Sequence, residues 1–344
     1  MAKLKALVTA EVVKDVLEKS FHEEIEFVYD GYCLNHNVMP HTELAEKIKD
    51  VEILICEYDT ISSDIFDVAK RLKIIVCCRG GVKSVIDLNK AMENGIIVCN
   101  NGGRNANAVT DMTMGYILDL TRNITVTNNL IHSRVITMDE STKPTEYIDT
   151  VWGLDNDSPF IKYRGRSINH MSLGIVGFGH AGRLLAKKAN AFGMEILAYD
   201  PYCDFKDKPD YVKQVNWENL LKYSDIISVH CTLTPQTRNM FDLSVFEKMK
   251  DNAYFINTSR GELVVEEDLI KVLNSGKIAG AAIDVTAKEP ISSANPLVGT
   301  KNLIITPHIA GSADDVQACG TKMVVDSLKD FLNERKPRNA VVYR

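Results

Sequence analysis

Short apolar runs alternate with amphipathic stretches along the first third of the chain. Leu4–Thr9, Ile25–Tyr29, Val51–Cys56, Ile74–Cys78 and Ile96–Asn100 read as strands. Thr42–Lys49, Ile65–Arg71 and Leu88–Asn94 carry apolar residues at helical spacing between them. Alternation of this kind predicts a parallel sheet with helices on both faces. A second series begins at Met171, with strands expected at Leu173–Val176, Glu195–Tyr199, Asp225–Val229, Ala253–Thr258, Ala281–Val285 and Leu303–Thr306. Six strands suit a doubly wound nucleotide-binding sheet. Between the two series, Asn105–Ser133 predicts one long helix, and the polar, aperiodic stretch Ile136–Asn169 predicts an extended arm that Trp152, Phe160 and Tyr163 could anchor. Ala313–Glu334 predicts an amphipathic helix that returns to the first domain and makes it discontinuous in sequence.

The second series opens with the most informative stretch. The run Leu173–Val176 meets Gly177-x-Gly179-x-x-Gly182, a helical pattern follows, and the next apolar run ends in Asp200, 18 residues beyond Gly182. Gly177 permits the tight turn, Gly179 lets the backbone approach a pyrophosphate, and Gly182 lets the helix pack close to the strand. The helix N-terminus offers free N–H groups to the anion. A carboxylate at the tip of the following strand accepts bonds from a ribose diol and repels a 2′-phosphate, which selects NAD over NADP.

Ligands of open α/β sheets sit beyond the carboxyl ends of the strands. There the chain has Ser259-Arg260-Gly261, Asp284 followed by Lys288-Glu289-Pro290, His230, and Pro307-His308. Hydride chemistry at a hydroxyl carbon needs a proton carrier, and imidazole suits that task near neutrality. A neighbouring carboxylate fixes the imidazole's tautomer, and an arginine can grip a substrate carboxylate with two prongs. Position alone does not choose between His230 and His308.

Composition narrows the picture. The 344 residues include 45% hydrophobic and 25% charged side chains, as in ordinary globular proteins, and 40 basic against 46 acidic residues give a net charge of −6 without a basic block. Nucleic acid is not an expected partner. Neither a signal peptide nor an 18-residue apolar span stands out, so a cytoplasmic protein that leaves membranes alone is expected. Eight cysteines form no C-x-x-C pair and several lie in apolar runs, which points to reduced, buried thiols and to no metal site.

Taken together, Gly177-x-Gly179-x-x-Gly182, Asn257-Thr258-Ser259-Arg260-Gly261, Asp284-Val285…Glu289-Pro290 and Thr306-Pro307-His308 resemble the D-isomer-specific 2-hydroxyacid dehydrogenases, from about Val51 to about Gly311. The resemblance implies two doubly wound α/β parallel-sheet domains: a Rossmann NAD-binding domain over 107–311 and a smaller, flavodoxin-like substrate domain over 1–106 and 312–344. It implies a homodimer and NAD-linked hydride transfer at C2 of a 2-hydroxy or 2-oxo acid. By it, Arg260 orients substrate, Glu289 partners the histidine, His308 is the acid/base, and His230 falls to a cofactor-side or structural role. Asp284 is expected to meet the nicotinamide carboxamide. The cofactor set is completed by Val109, Gly177, Gly179, His180, Ala181, Asp200, His230, Cys231, Thr232, Thr237, Thr258, Ser259, Arg260, His308 and Gly311.

Departures from the family fall in the first domain. Phosphoglycerate dehydrogenases show Arg-Ser-x-Thr where this chain has Glu57-Tyr58-Asp59-Thr60, and the glycine-rich substrate loop is here Arg79-Gly80-Gly81-Val82-Lys83-Ser84-Val85. Glu57, Tyr58, Arg79, Gly81, Val82 and Lys83, with Arg260 and His308, form the expected substrate set. Backbone N–H groups of the loop could cradle a carboxylate. Glu57 and Asp59 either accept bonds from hydroxyls of a polyhydroxy acid, with Arg79 or Arg104 balancing their charge, or form a structural ion pair with those arginines. Two alternatives to the unphosphorylated-acid dehydrogenase are carried forward: a D-3-phosphoglycerate dehydrogenase and an NAD-sensing, corepressor-like binding protein. Formate enzymes of the superfamily carry Gln where this chain has Glu289.

Overall fold

The computed structural model describes residues 3–137, 156 and 158–343. The chain separates into two compact units, one formed by 1–105 with 312–344 and the other by 106–311.

In the first unit the strands are β1 (Leu4–Val8), β2 (Ile25–Tyr29), β3 (Ile53–Cys56), β4 (Ile74–Cys77) and β5 (Ile97–Asn100). Their side chains alternate between two apolar layers: Ile53, Ile55, Ile74 and Val76 face one cluster, while Leu54, Cys56, Ile75 and Cys77 face the other. A strand apolar on both faces must be covered on both, which is why this sheet is doubly wound. The order is completed by β13 (Ala340–Val342), giving β13-β5-β4-β3-β1-β2, with β13 antiparallel to β5. That antiparallel edge was not foreseen, because three residues carry too little pattern to be read. The direction of the order reverses between β1 and β3, whose ends lead into the buried residues Thr9, Glu57 and Asp59. The helix Asp315–Leu332 packs into this unit, with Val324 and Leu328 in the layer that holds Ile53 and Ile74.

The second unit has seven strands rather than six: β6 (Ser172–Val176), β7 (Glu195–Tyr199), β8 (Val212–Gln214), β9 (Ile226–Val229), β10 (Ala253–Asn257), β11 (Ile278–Ile283) and β12 (Leu303–Ile305). All are parallel, in the order β12-β11-β10-β9-β6-β7-β8. The additional member, β8, is a three-residue edge strand with only Val212 buried, which leaves no alternation to detect. The long helix expected over Asn105–Ser133 is two helices, Ala106–Arg122 and Ile124–His132. They part at Asn123, whose φ of 57° is left-handed and cannot continue an α-helix. Ala106–Arg122 lies against the helix His180–Ala191. Most of the predicted arm, Trp152 included, falls outside the described residues; Phe160, in the short helix Pro159–Lys162, is exposed.

No helix among the described residues is long and apolar enough to cross a membrane.

Candidate active site

The glycine turn after β6 is built as its sequence demands. Gly177 has φ +93°, and a Cβ there would fall 2.7 Å from the backbone of His230 and Cys231. A Cβ on Gly182 would meet the Gly177 carbonyl oxygen at 2.2 Å, so the helix His180–Ala191 packs on the turn only because that residue is glycine. Around Gly179 no atom lies within 4 Å of a would-be Cβ, which leaves the backbone open to an approaching ligand. Asp200, just past β7, accepts the Phe178 N–H on one oxygen and the Tyr202 N–H on the other, each at 2.9 Å. Both bonds pin the carboxylate across the turn.

Beside Asp200 lies a cavity of about 330 Å³ lined by Phe178, Gly179, His180, Arg183, Tyr202 and Cys203. The Arg183 guanidinium lies 4.8 Å from the Phe178 ring centroid and 3.0 Å from Cys203 Sγ. Arg183, Tyr202 and Cys203 were not foreseen as site residues, although Arg183 directly follows Gly182 and the other two directly follow Asp200-Pro201.

The strand-end residues of the same unit fall into three groups. After β9, His230 Nε2 lies 2.8 Å from Ser228 Oγ, and burial pushes its pKa down to about 4. Burial likewise pushes the Cys231 thiol up to about 11. The Thr237 hydroxyl closes its loop by bonding to the Thr232 carbonyl oxygen at 2.8 Å. After β10, Ser259 Oγ donates to the Val229 carbonyl oxygen at 2.7 Å and Asn257 Nδ2 to the Arg260 carbonyl oxygen at 2.9 Å. These bonds fix the turn that sends the Arg260 side chain outward. Thr258 Oγ1 is buried without a protein partner.

After β11 and β12 come the acid/base candidates. His308 Nδ1 lies 2.6 Å from Glu289 Oε2, and Glu289 Oε1 accepts the Thr286 N–H at 3.1 Å. The carboxylate therefore fixes the imidazole by one nitrogen and leaves Nε2 free. Both side chains remain accessible, His308 at 49% and Glu289 at 37%. Asp284 is different. It is buried, and its carboxylate accepts the Ile309 and Ala310 N–H groups at 2.9 and 2.8 Å and the Thr306 hydroxyl. The sequence reading gave Asp284 only a cofactor-facing role; the structure shows it holding the His308 loop. Gly311 ends that loop, and Val109 is partly buried on Ala106–Arg122.

Burial in the first unit bears on two of the expected substrate residues, Glu57 and Val82. Glu57 is 2% exposed and pairs through Oε1 with Arg104, itself 16% exposed, while its Oε2 is buried without a partner among the described residues. Asp59, also buried, accepts the Thr9 hydroxyl. The ion-pair alternative, with Arg104 as the cation, is what the structure contains. Val82 is buried in an apolar layer, so only its backbone can face a ligand. Tyr58 remains partly exposed, with the Arg79 guanidinium 5.3 Å from its ring centroid and the Tyr32 ring edge-on at 4.6 Å. Gly81 and Lys83 are exposed, and Asn100 Nδ2 holds their loop by donating to the Gly80 carbonyl oxygen at 2.7 Å. Among the described residues no cluster of three or more His, Cys, Asp or Glu side chains is placed to hold a metal.

Residues 114–310 match the model of the D-isomer-specific 2-hydroxyacid dehydrogenase, NAD-binding domain family. The chain belongs to this family. It is 30% identical to a hydroxypyruvate reductase of Blautia hydrogenotrophica, over 91% of this chain and 98% of that one. It is 33% identical to a D-3-phosphoglycerate dehydrogenase of Methanocaldococcus jannaschii, over 87% of this chain but 53% of that longer protein. Among solved structures, the TT0316 protein of Thermus thermophilus superposes with a TM-score of 0.75 at 29% identity, covering 98% of this chain and all of that one. The protein is thus an NAD-dependent oxidoreductase acting on CH–OH groups. The site fits that cofactor: an open glycine turn at a helix N-terminus, a pinned strand-tip carboxylate beside a cavity, and the unpartnered Thr258 hydroxyl are what a dinucleotide requires.

Proposed function

We propose that the protein reduces an unphosphorylated 2-oxo acid to its D-2-hydroxy acid, or runs the reverse oxidation. The 2.6 Å pairing of His308 with Glu289 carries the reading. Bound NADH would supply a hydride to C2. Arg260 grips the substrate carboxylate and polarises the adjacent carbonyl, and His308 Nε2 delivers the proton to the carbonyl oxygen. Glu289 holds the imidazole in the tautomer that keeps Nε2 aimed outward. The turn at Gly177–Gly182 and Asp200 would hold pyrophosphate and ribose, and Asp284 and Thr258 would lie toward the nicotinamide end. Tyr58, Arg79 and the backbone of Gly81–Lys83 are assigned to substrate selection.

Phosphate is disfavoured because the cation beside Glu57 is spent on that carboxylate. A panel of glyoxylate, hydroxypyruvate, pyruvate, 2-oxoglutarate and 3-phosphohydroxypyruvate with NADH tests this. We expect turnover of unphosphorylated acids; preference for the phosphorylated one would overturn the substrate class, and silence throughout would favour a binding protein.

We also infer a homodimer formed through the second unit's Ile124–His132 region. Ile124, Val126, Ile131, Val135 and Phe160 leave large apolar surface exposed there, next to a cavity of about 550 Å³ bounded by Ile131, Phe160 and Tyr163. A single monomer-sized species in sedimentation equilibrium at micromolar concentration would contradict it. A cytoplasmic location suits eight free thiols and is checked by cell fractionation.

A further inference from the structure

His308 sits in a costly conformation. Its φ of 56° lies in the left-handed region, which a residue with a Cβ occupies only when its surroundings insist. The insistence comes from Asp284. Its main-chain oxygen accepts the His308 N–H at 2.8 Å, and its carboxylate accepts the next two amides, Ile309 and Ala310. One residue thus holds three consecutive N–H groups, an arrangement that suits an anion inside a turn. The carboxylate is itself held. The Thr306 hydroxyl binds Asp284 Oδ1, and the Tyr116 hydroxyl, reaching in from the helix Ala106–Arg122, binds the Thr306 hydroxyl.

The direction of this chain follows from proton counting. A carboxylate only accepts, so the single Thr306 proton goes to Asp284, and Tyr116 must donate to Thr306. Tyr116 keeps its proton for the purpose: burial, first of all, raises its pKa to about 12, and the Asp284 charge adds to the rise although the Thr306 bond opposes it. Linked hydrogen bonds in a buried setting polarise and stiffen one another.

We propose that Tyr116 and Thr306 are positioning residues for the reaction, setting the angle of the His308 loop through Asp284. The inference rests on the assignment of His308 as the proton donor. It adds a distant control on that residue, located on a helix that also carries the cofactor neighbour Val109.

Four variants test it, with activity and amide exchange read on each. Tyr116→Phe and Thr306→Val should each lower kcat about three- to tenfold, with substrate KM and NADH Kd within twofold of the wild type. Thr306→Ser keeps the hydroxyl and should restore kcat to within twofold. The double variant Tyr116→Phe/Thr306→Val should be no slower than Thr306→Val alone, because both remove the same chain. In parallel, hydrogen exchange of the 306–311 segment should quicken at least tenfold in Thr306→Val while the strands β9 and β10 keep their protection. Wild-type kcat in Tyr116→Phe, multiplicative losses in the double variant, or unchanged exchange at Ile309 and Ala310 would each overturn the proposal. If the wild-type protein turns over no oxo acid, the acid/base reading fails and exchange alone decides whether the relay holds the loop.

Discussion

Both units end their strands in charged side chains, yet they treat those charges in opposite ways. In the NAD-binding unit, Glu289 and His308 are paired but accessible, and one imidazole nitrogen is left without a partner. In the other unit, Glu57 and Arg104 are paired and enclosed. A carboxylate paired with an imidazole that meets solvent leaves a nitrogen open to a reactant, whereas a carboxylate enclosed against a guanidinium is a structural element. Burial rather than residue type separates the two roles, because an enclosed ion pair that loses a member cannot be rescued by water.

The largest expected effect breaks the exposed pair. His308→Gln keeps the size and some hydrogen-bonding capacity of the side chain but cannot carry the proton. Turnover should fall about 10³-fold, or about 4 kcal/mol of transition-state stabilisation. Stability should change by under about 0.5 kcal/mol, since the side chain is half exposed. NADH affinity, read from fluorescence titration, should stay within a few-fold. Undiminished turnover would remove His308 from the mechanism.

The enclosed pair should respond the other way round. Glu57→Gln leaves Arg104 charged and unpaired inside the first unit and should cost about 3 kcal/mol of stability, seen as a lower urea midpoint. Glu57→Gln with Arg104→Met removes the stranded charge and should recover most of that loss. A double variant no more stable than Glu57→Gln would mean that the pair is not the enclosed ion pair described.

This contrast also marks what was legible in the chain. The alternating apolar runs predicted both sheets within a residue or two at most strand ends, because strands apolar on both faces leave a continuous signal. The edge strands β8 and β13 left no such signal, being three residues each. The break at Asn123 was hidden because the helical pattern continues through it; only a backbone angle reveals it. At the site, Gly177 and Asp200 stand out by their spacing, whereas strand-end position offers Arg260, Glu289, His230 and His308 alike and only the family resemblance gives them separate roles. Tyr116 was not: it is one more large residue on a helix's buried face, and its hydroxyl acquires meaning only from Thr306, 190 positions later. Glu57 was seen but left undecided, since a sequence shows charge and not enclosure.

Partial burial also separates the two histidines that strand-end position could not. His308 is open and paired with a carboxylate, whereas His230 is held below its usual value of 6.5, at about 4, by burial. The sign of the consequence is fixed by linkage. Between pH 6.5 and 4 the unfolded chain takes up a proton at this position and the folded protein does not, so stability declines as pH falls through that window. Carboxylates such as Asp225, lowered to about 2 by its bonds to Lys250 and Ser172 against the opposing effect of burial, add their own losses only below about pH 4. The interval from pH 7 to 5 therefore isolates the imidazole contribution, which should amount to about 2 kcal/mol. Urea unfolding at the two pH values, for the wild type and for His230→Gln, should show the slope in the first and a flatter response in the second. Equal slopes would mean that His230 is protonated alike in both states, and the distinction between the half-buried and the accessible imidazole would then rest on geometry alone.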